Sequence, residues 1–131
     1  EDIANKIYDL MIDFAKYAFN KSHSAAYSLV AMRTAWLKYY YPVEFLAALI
    51  SSVMGNTSQL SLYIEEARRL DIKIEAPEIN YSLDKFDVKD NSIIYGLKAI
   101  KNVGTNLIEQ TIISRNENGK FKSFRDFVER I

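Results

Sequence analysis

The chain has 131 residues, with 17 basic and 17 acidic side chains, four glycines, two prolines and no cysteine. That length suits one compact domain or two small lobes, and a hydrophobic share of 49% is enough for a core. Without cysteine, disulfides and thiolate metal sites are excluded, and a reducing, cytoplasmic setting is expected. The longest apolar stretch, near residues 43–50, is too short to cross a bilayer, and no secretory leader or membrane partner is expected. Glu1-Asp2 opens directly in a helical pattern without an initiating Met, so the chain reads as a segment of something longer.

Along the chain, Ile3, Ile7, Leu10, Met11, Phe14 and Ala18 make one apolar stripe, which predicts an amphipathic helix over 3–18. Phe19 to Ser24 breaks the pattern, and Ser22 or Ser24 is expected to cap a second helix over 25–40. Tyr41 precedes Pro42 and is pushed out of the α region, ending that helix; Pro42 suits the first turn of a third, near 42–54, closed by Gly55. Asn56 with Gln59 resembles a capping box for a fourth helix near 57–70, with Leu60, Tyr63, Ile64, Ala67 and Leu70 on its buried face.

After Asp71 the character changes. Ile72 and Ile74 alternate with charged residues, giving a short extended piece before Pro77. Phe86-Asp87-Val88 and Ile93-Ile94-Tyr95 read as a β-hairpin turning at Asp90-Asn91 and ended by Gly96. Two short helical stretches follow, 97–101 and 105–115, then a turn at Asn118-Gly119 and a last helix, 124–130, capped by Ser123 with Asp126. The expected fold is mainly α: a helical lobe over 1–75, then a β-hairpin and helix-hairpin-helix lobe over 76–131.

Charge is unevenly spread. Residues 1–20 sum to −2, residues 21–42 to +3 with no acid, residues 43–90 to −4 and residues 91–131 to +3. Two basic zones in a neutral chain can face a polyanion.

Within the second zone, apolar residues at 97, 100, 103, 107, 108 and 112 can pack two short helices around Asn102-Val103-Gly104. Asn102 and Gly104 both tolerate the positive φ of a tight corner. The second helix would then start with free N–H groups from Val103, Gly104, Thr105 and Asn106, and a helix N-terminus with free amides is an anion site. Lys98 and Lys101 add charge beside it. The arrangement resembles the helix-hairpin-helix motif, which grips a DNA backbone phosphate without reading bases, with Asn102 where the usual pattern has Gly.

A longer resemblance lies in "FNKSHSAAYSLVAMRTAWLKYYYPVEFLAALISSVMGNT", residues 19–57. Phe19 to Tyr27, Tyr41-Pro42-Val43-Glu44-Phe45 and the later "YGLKAIKNVG", residues 95–104, resemble in order and spacing the bacterial DNA polymerase III alpha subunits, the C-family replicative polymerases. The resemblance implies a fragment running from the end of the fingers region into the helix-hairpin-helix region of a DNA-directed DNA polymerase. It implies a nucleotidyltransferase parent that uses Mg2+, with its catalytic aspartates elsewhere. Its implied partners are primer-template duplex DNA, a deoxynucleoside triphosphate, and the rest of the polymerase chain and replisome. By the same resemblance Lys21, Ser22, His23 and Arg33 would contact nucleotide or DNA. Lys98, Lys101, Asn102, Val103, Gly104, Thr105 and Asn106 would hold the DNA backbone. No cofactor, metal site or catalytic residue is expected in the fragment itself, which alone should be inactive.

Other chemistries fit the residues less well. Asp84, Asp87 and Asp90 are interleaved with lysines and read as a solvated hairpin rim rather than a two-metal centre. His23 lacks an acid neighbour in sequence for a triad. Trp36, Tyr39, Tyr40, Tyr41 and Phe45 could stack on bases but read more readily as corner packing. Lys120, Lys122, Arg125 and Arg130 could extend a backbone track. Two rival readings are a helix-hairpin-helix module of a repair protein and a helical interaction domain without a nucleic-acid role.

Overall fold

The computed structural model describes residues 2–16 and 21–131. Expectations that fall on residues 17–20, among them Phe19 and Asn20 before the second helix, lie outside the described residues. The fold is mainly α. Its helices are α1 Asp2–Lys16, α2 Lys21–Tyr40, α3 Pro42–Ser52, α4 Thr57–Arg69, α5 Thr105–Asn118 and α6 Phe124–Arg130, with strands β1 Ile74–Glu75, β2 Asp87–Lys89 and β3 Ser92–Ile94. Two compact units divide it, Glu1–Trp36 and Leu37–Ile131. The lobe boundary expected between residues 75 and 76 falls inside the second unit.

The first unit holds α1 and α2 as far as Trp36. The expected stripe of α1 is present, but it is exposed: Ile3 and Phe14 are each 75% accessible. No residue of α2 is buried. This helix starts at Lys21, four residues before the predicted start, so Ser22 and Ser24 lie inside it and do not cap it. No Gly or Pro interrupts residues 21–41, and Ser, His and Lys are tolerated in a first turn, so nothing in the chain stops the helix from extending backward.

In the second unit, Tyr41 sits at φ −135° and ψ 57°, off the α region as the residue before a proline, and Pro42 opens α3. Val43, Leu46, Ala47 and Ile50 recur at helical spacing on one face of α3, and all four are buried. They meet Leu60 and Ala67 of α4 together with Ile72, Phe86 and Ile93. Asn56 caps α4 as predicted, its Oδ1 accepting from the Gln59 N–H at 3.2 Å. α3 ends at Val53, whose N–H reaches the Ile50 carbonyl, so Gly55 only follows in the turn. α4 closes without glycine: Asp71 takes φ 56°, and the Ile72 N–H returns to the Ala67 carbonyl at 2.9 Å.

The hairpin is as read. Val88 pairs with Ile93 and Lys89 with Ser92 in an antiparallel register. Asp90 and Asn91, at φ 49° and 60°, make the two-residue turn whose twist suits a hairpin. The short extended piece adds a third strand: β1 pairs with β3 in parallel, giving the order β1-β3-β2. The core therefore runs through this sheet, with Ile72 on one side of residue 75 and Phe86 and Ile93 on the other. Gly96 is fixed by crowding, because a Cβ there would lie 2.5 Å from the Lys85 carbonyl carbon and 2.7 Å from the Phe86 nitrogen.

Candidate nucleic-acid interface

The corner at residues 97–106 begins where Gly96 presses against residues 85 and 86. The Leu97 and Lys98 N–H groups donate to the Leu83 and Asp84 carbonyls at 2.8 and 2.9 Å. That tie leaves room for one 3₁₀ turn, Leu97–Ala99, where a helix over 97–101 was expected. Ile100 is already extended at ψ 122°. Asn102 takes φ 64°, as the corner requires. Gly104 does not use its freedom: it sits at φ −70° and ψ 142°, open to any residue.

What distinguishes Gly104 is space. A Cβ there would meet nothing within 4 Å, and the residue caps α5 with no side-chain hydrogen bond. Gly104, Thr105 and Asn106 are exposed and Val103 is half-buried, so the first amides of a 14-residue helix face open solvent. Their partial positive charge suits an anion. Beneath them Leu97, Ile100, Val103, Leu107 and Ile108 line an apolar groove of about 280 Å³, together with Pro77, Ile79, Thr111 and Phe127. Five of the six apolar positions read from the sequence thus gather on one surface.

The two lysines beside the corner differ. Lys101 is exposed and makes no ion pair among the described residues. Lys98 is engaged, its Nζ lying 3.2 Å from Asp84 Oδ2 and 3.8 Å from Glu109 Oε1. Partial burial pushes the Asp84 carboxyl up, but the hydrogen bond and charge of Lys98 outweigh it, so the group titrates below its ordinary value. Lys98 is therefore a less available phosphate ligand than its position suggests.

Lys21, Ser22 and His23 are exposed, but they form the first turn of α2 and not a loop. Consecutive side chains on a helix fan about 100° apart, so the three do not converge on one anion as loop residues would. The His23 ring lies against Tyr27 at 4.4 Å. Arg33 is exposed on the same helix, about 15 Å along its axis from His23.

Other expected contacts move too. Lys38 Nζ pairs with Glu66 Oε1 at 2.7 Å and is not a free wet-face residue. Trp36, Tyr39, Tyr40 and Tyr41 are exposed, with Tyr39 78% accessible, whereas Phe45 packs against the core as expected. Arg130 is structural: it donates to the Ser114 and Gly119 carbonyls at 2.6 and 2.9 Å and lies over Phe121. Arg125 pairs with Glu129 at 2.8 Å. Lys120 lies over the ring of Tyr81, 3.9 Å from its centroid. Tyr81 was not singled out from sequence, and its contacts with Lys120, 39 residues away, and with Lys89 make it noticeable. Among the described residues no three His, Asp or Glu side chains come together to hold a metal.

The short arm Leu97–Ala99, the left-handed corner at Asn102 and the exposed start of α5 follow the order of a helix-hairpin-helix motif. Residues 71–131 match the family model described as a helix-hairpin-helix motif. The whole chain is 45% identical over 131 residues to the DNA polymerase III subunit alpha of Borreliella burgdorferi. It is 46% identical over 131 residues to that of Vibrio cholerae and 46% over 130 residues to that of Escherichia coli. Over its whole length the chain is thus similar to one segment of the DNA polymerase III alpha subunits. The matches cover 98–100% of this chain, which spans 11% of the length of each of these curated relatives.

Proposed function

We propose that this chain is the part of a replicative DNA polymerase that holds primer-template duplex by its backbone, with bond formation carried out elsewhere in the larger polypeptide. The observation that carries the reading is the start of α5: exposed, uncapped amides at Gly104, Thr105 and Asn106 with open space where a side chain would stand. A phosphate oxygen can accept from these amides while Lys101 supplies unpaired charge. Asn102 sets the corner and Val103 anchors it in the apolar groove. Lys98 serves at one remove, holding α5 to the 84–85 loop through Glu109 and Asp84.

In this reading residues 1–75 correspond to the end of the fingers region. Lys21 at the start of α2 meets one phosphate of the nucleotide or template-primer and Arg33 meets another, while Ser22 and His23, fanned round the same turn, do not share the anion of Lys21. Contacts of this kind carry no base information, so binding is non-specific and salt-dependent.

The test is duplex binding as a function of salt. Affinity should fall by about 0.9 log unit per log unit of salt for each phosphate neutralised. Absence of binding at low salt would remove the duplex-holding role and favour an interaction domain. Primer extension by the 131-residue chain should give no product; robust synthesis would place catalytic groups within it.

A further inference from the structure

We infer a second phosphate-binding point on the Leu37–Ile131 unit, built from Tyr81, Lys89 and Lys120, which takes the nucleic-acid strand at a place separate from the α5 corner. It rests on the duplex-holding reading above.

Tyr81 is half exposed and carries two ammonium groups: Lys120 Nζ lies 3.9 Å from its ring centroid and Lys89 Nζ 4.7 Å. Lys120 also donates a hydrogen bond to the Tyr81 hydroxyl. Neither lysine makes an ion pair among the described residues, although Asp87 and Asp90 are neighbours of Lys89 in sequence. Two like charges on one ring repel each other, and a carboxylate between them would be the ordinary structural solution. Among the described residues none stands there, which leaves the place to an anion from outside.

The arrangement is held by the fold rather than by chance side-chain positions. Asn80, next to Tyr81, clasps the residue next to Lys120: its Nδ2 donates to the Phe121 carbonyl at 3.0 Å and its Oδ1 accepts from the Phe121 N–H at 2.8 Å. Ser82, on the other side of Tyr81, is fully buried and its Oγ accepts from the Glu78 N–H at 2.9 Å. Arg115 fastens the same loop by donating to the Ile79 carbonyl at 2.8 Å. Lys89 comes from β2, paired in register with Ser92. Three separate parts of the chain thus deliver one ring and two cations to one exposed point. Compact ammonium groups held over one aromatic ring suit a phosphate, which accepts from both.

The experiment is salt-dependent binding of a labelled mixed-sequence duplex by the 131-residue chain, by Lys89→Gln/Lys120→Gln, and by Lys101→Gln. Melting temperatures of the variants should match the parent, because all three lysines are exposed. The double variant should lower the magnitude of the log–log salt slope by about 0.9, one phosphate equivalent. Tyr81→Phe, which keeps the ring, should bind more like the parent than Tyr81→Leu, which removes the platform. A double variant with an unchanged slope, while Lys101→Gln lowers it, overturns this second point and leaves the corner reading standing. A lowered slope in the double variant with Lys101→Gln unchanged supports the second point and counts against the corner. Displacement of the duplex from the parent but not from the double variant by a deoxynucleoside triphosphate, at matched ionic strength, would assign the point to a free nucleotide and overturn the strand reading.

Discussion

The two compact units solve the same problem in opposite ways. In Leu37–Ile131, apolar spacing on α3 and α4 is matched by burial, and Leu46, Ile50 and Ile93 are wholly out of solvent. In Glu1–Trp36, an equally regular stripe on α1 stays exposed and α2 buries nothing. Periodicity therefore reports that a helix has an apolar face, and says nothing of whether the face is covered. The largest expected effect follows from this contrast. Ile50→Ala should cost about 2–5 kcal/mol by emptying a packed site, whereas Leu10→Ala should change stability by no more than about 0.5 kcal/mol. Denaturant unfolding of the two variants compares them directly; equal losses would mean that α1 is covered after all.

The same contrast can be drawn between two glycines within the second unit. Gly96→Ala drives a Cβ into the backbone of Lys85 and Phe86 and should destabilise by about 1–3 kcal/mol or more. Gly104→Ala meets open space at an ordinary φ, so thermal melting should move little. If the strand is held at the α5 amides, the added methyl group stands where a phosphate oxygen must approach, and the salt slope of duplex binding should fall by about 0.9. A Gly104→Ala protein that binds like the parent would take the phosphate away from this corner.

Caps sharpen the picture on a smaller scale. Asn56→Ala should cost about 1 kcal/mol by losing the bond from Gln59 N–H at 3.2 Å. Ser123→Ala removes the same type of bond from Asp126 N–H at 3.1 Å, at the head of a seven-residue helix. Its cost should be no greater, because Asp126 still accepts from the Lys122 N–H and Arg130. Melting temperatures of the two variants test the order.

What the sequence carried was local. The cap at Asn56, the Pro42 start, the Asp90-Asn91 turn and the Ser123 cap each follow from a few adjacent residues and stand in the structure as read. What it did not carry was set over distance. The parallel pairing of β1 with β3 joins residues some twenty apart. The shortening of the first hairpin arm to a 3₁₀ turn comes from bonds to Leu83 and Asp84. The Lys21–His23 loop was misread for another reason: serine and histidine suggest a break, but no glycine or proline enforces one, and helix prevails. Among the corner residues, φ at Asn102 was legible and the pairing of Lys98 was not, because Asp84 lies 14 residues back on a different element.

That pairing supports the smallest expected effect, a pH dependence. Asp84 titrates below its ordinary value when folded, so its contribution to stability is present above the unfolded carboxylate value of about 4. It is lost as pH falls through the folded value, when protonation ends the attraction to Lys98. Asp84 is 37% exposed, so solvent screening keeps the contribution small. Glu109, at 3.8 Å, holds Lys98 from the other side and blunts it further. Asp84→Asn should therefore flatten only the acid limb of the stability profile below about pH 4 and leave neutral stability slightly reduced. The same variant loosens Lys98 at neutral pH and should make it more available to a strand, raising duplex affinity modestly at low salt. An unchanged acid limb would mean that Lys98 is not held by Asp84 in solution, and the lysine would then rejoin Lys101 as a direct backbone ligand.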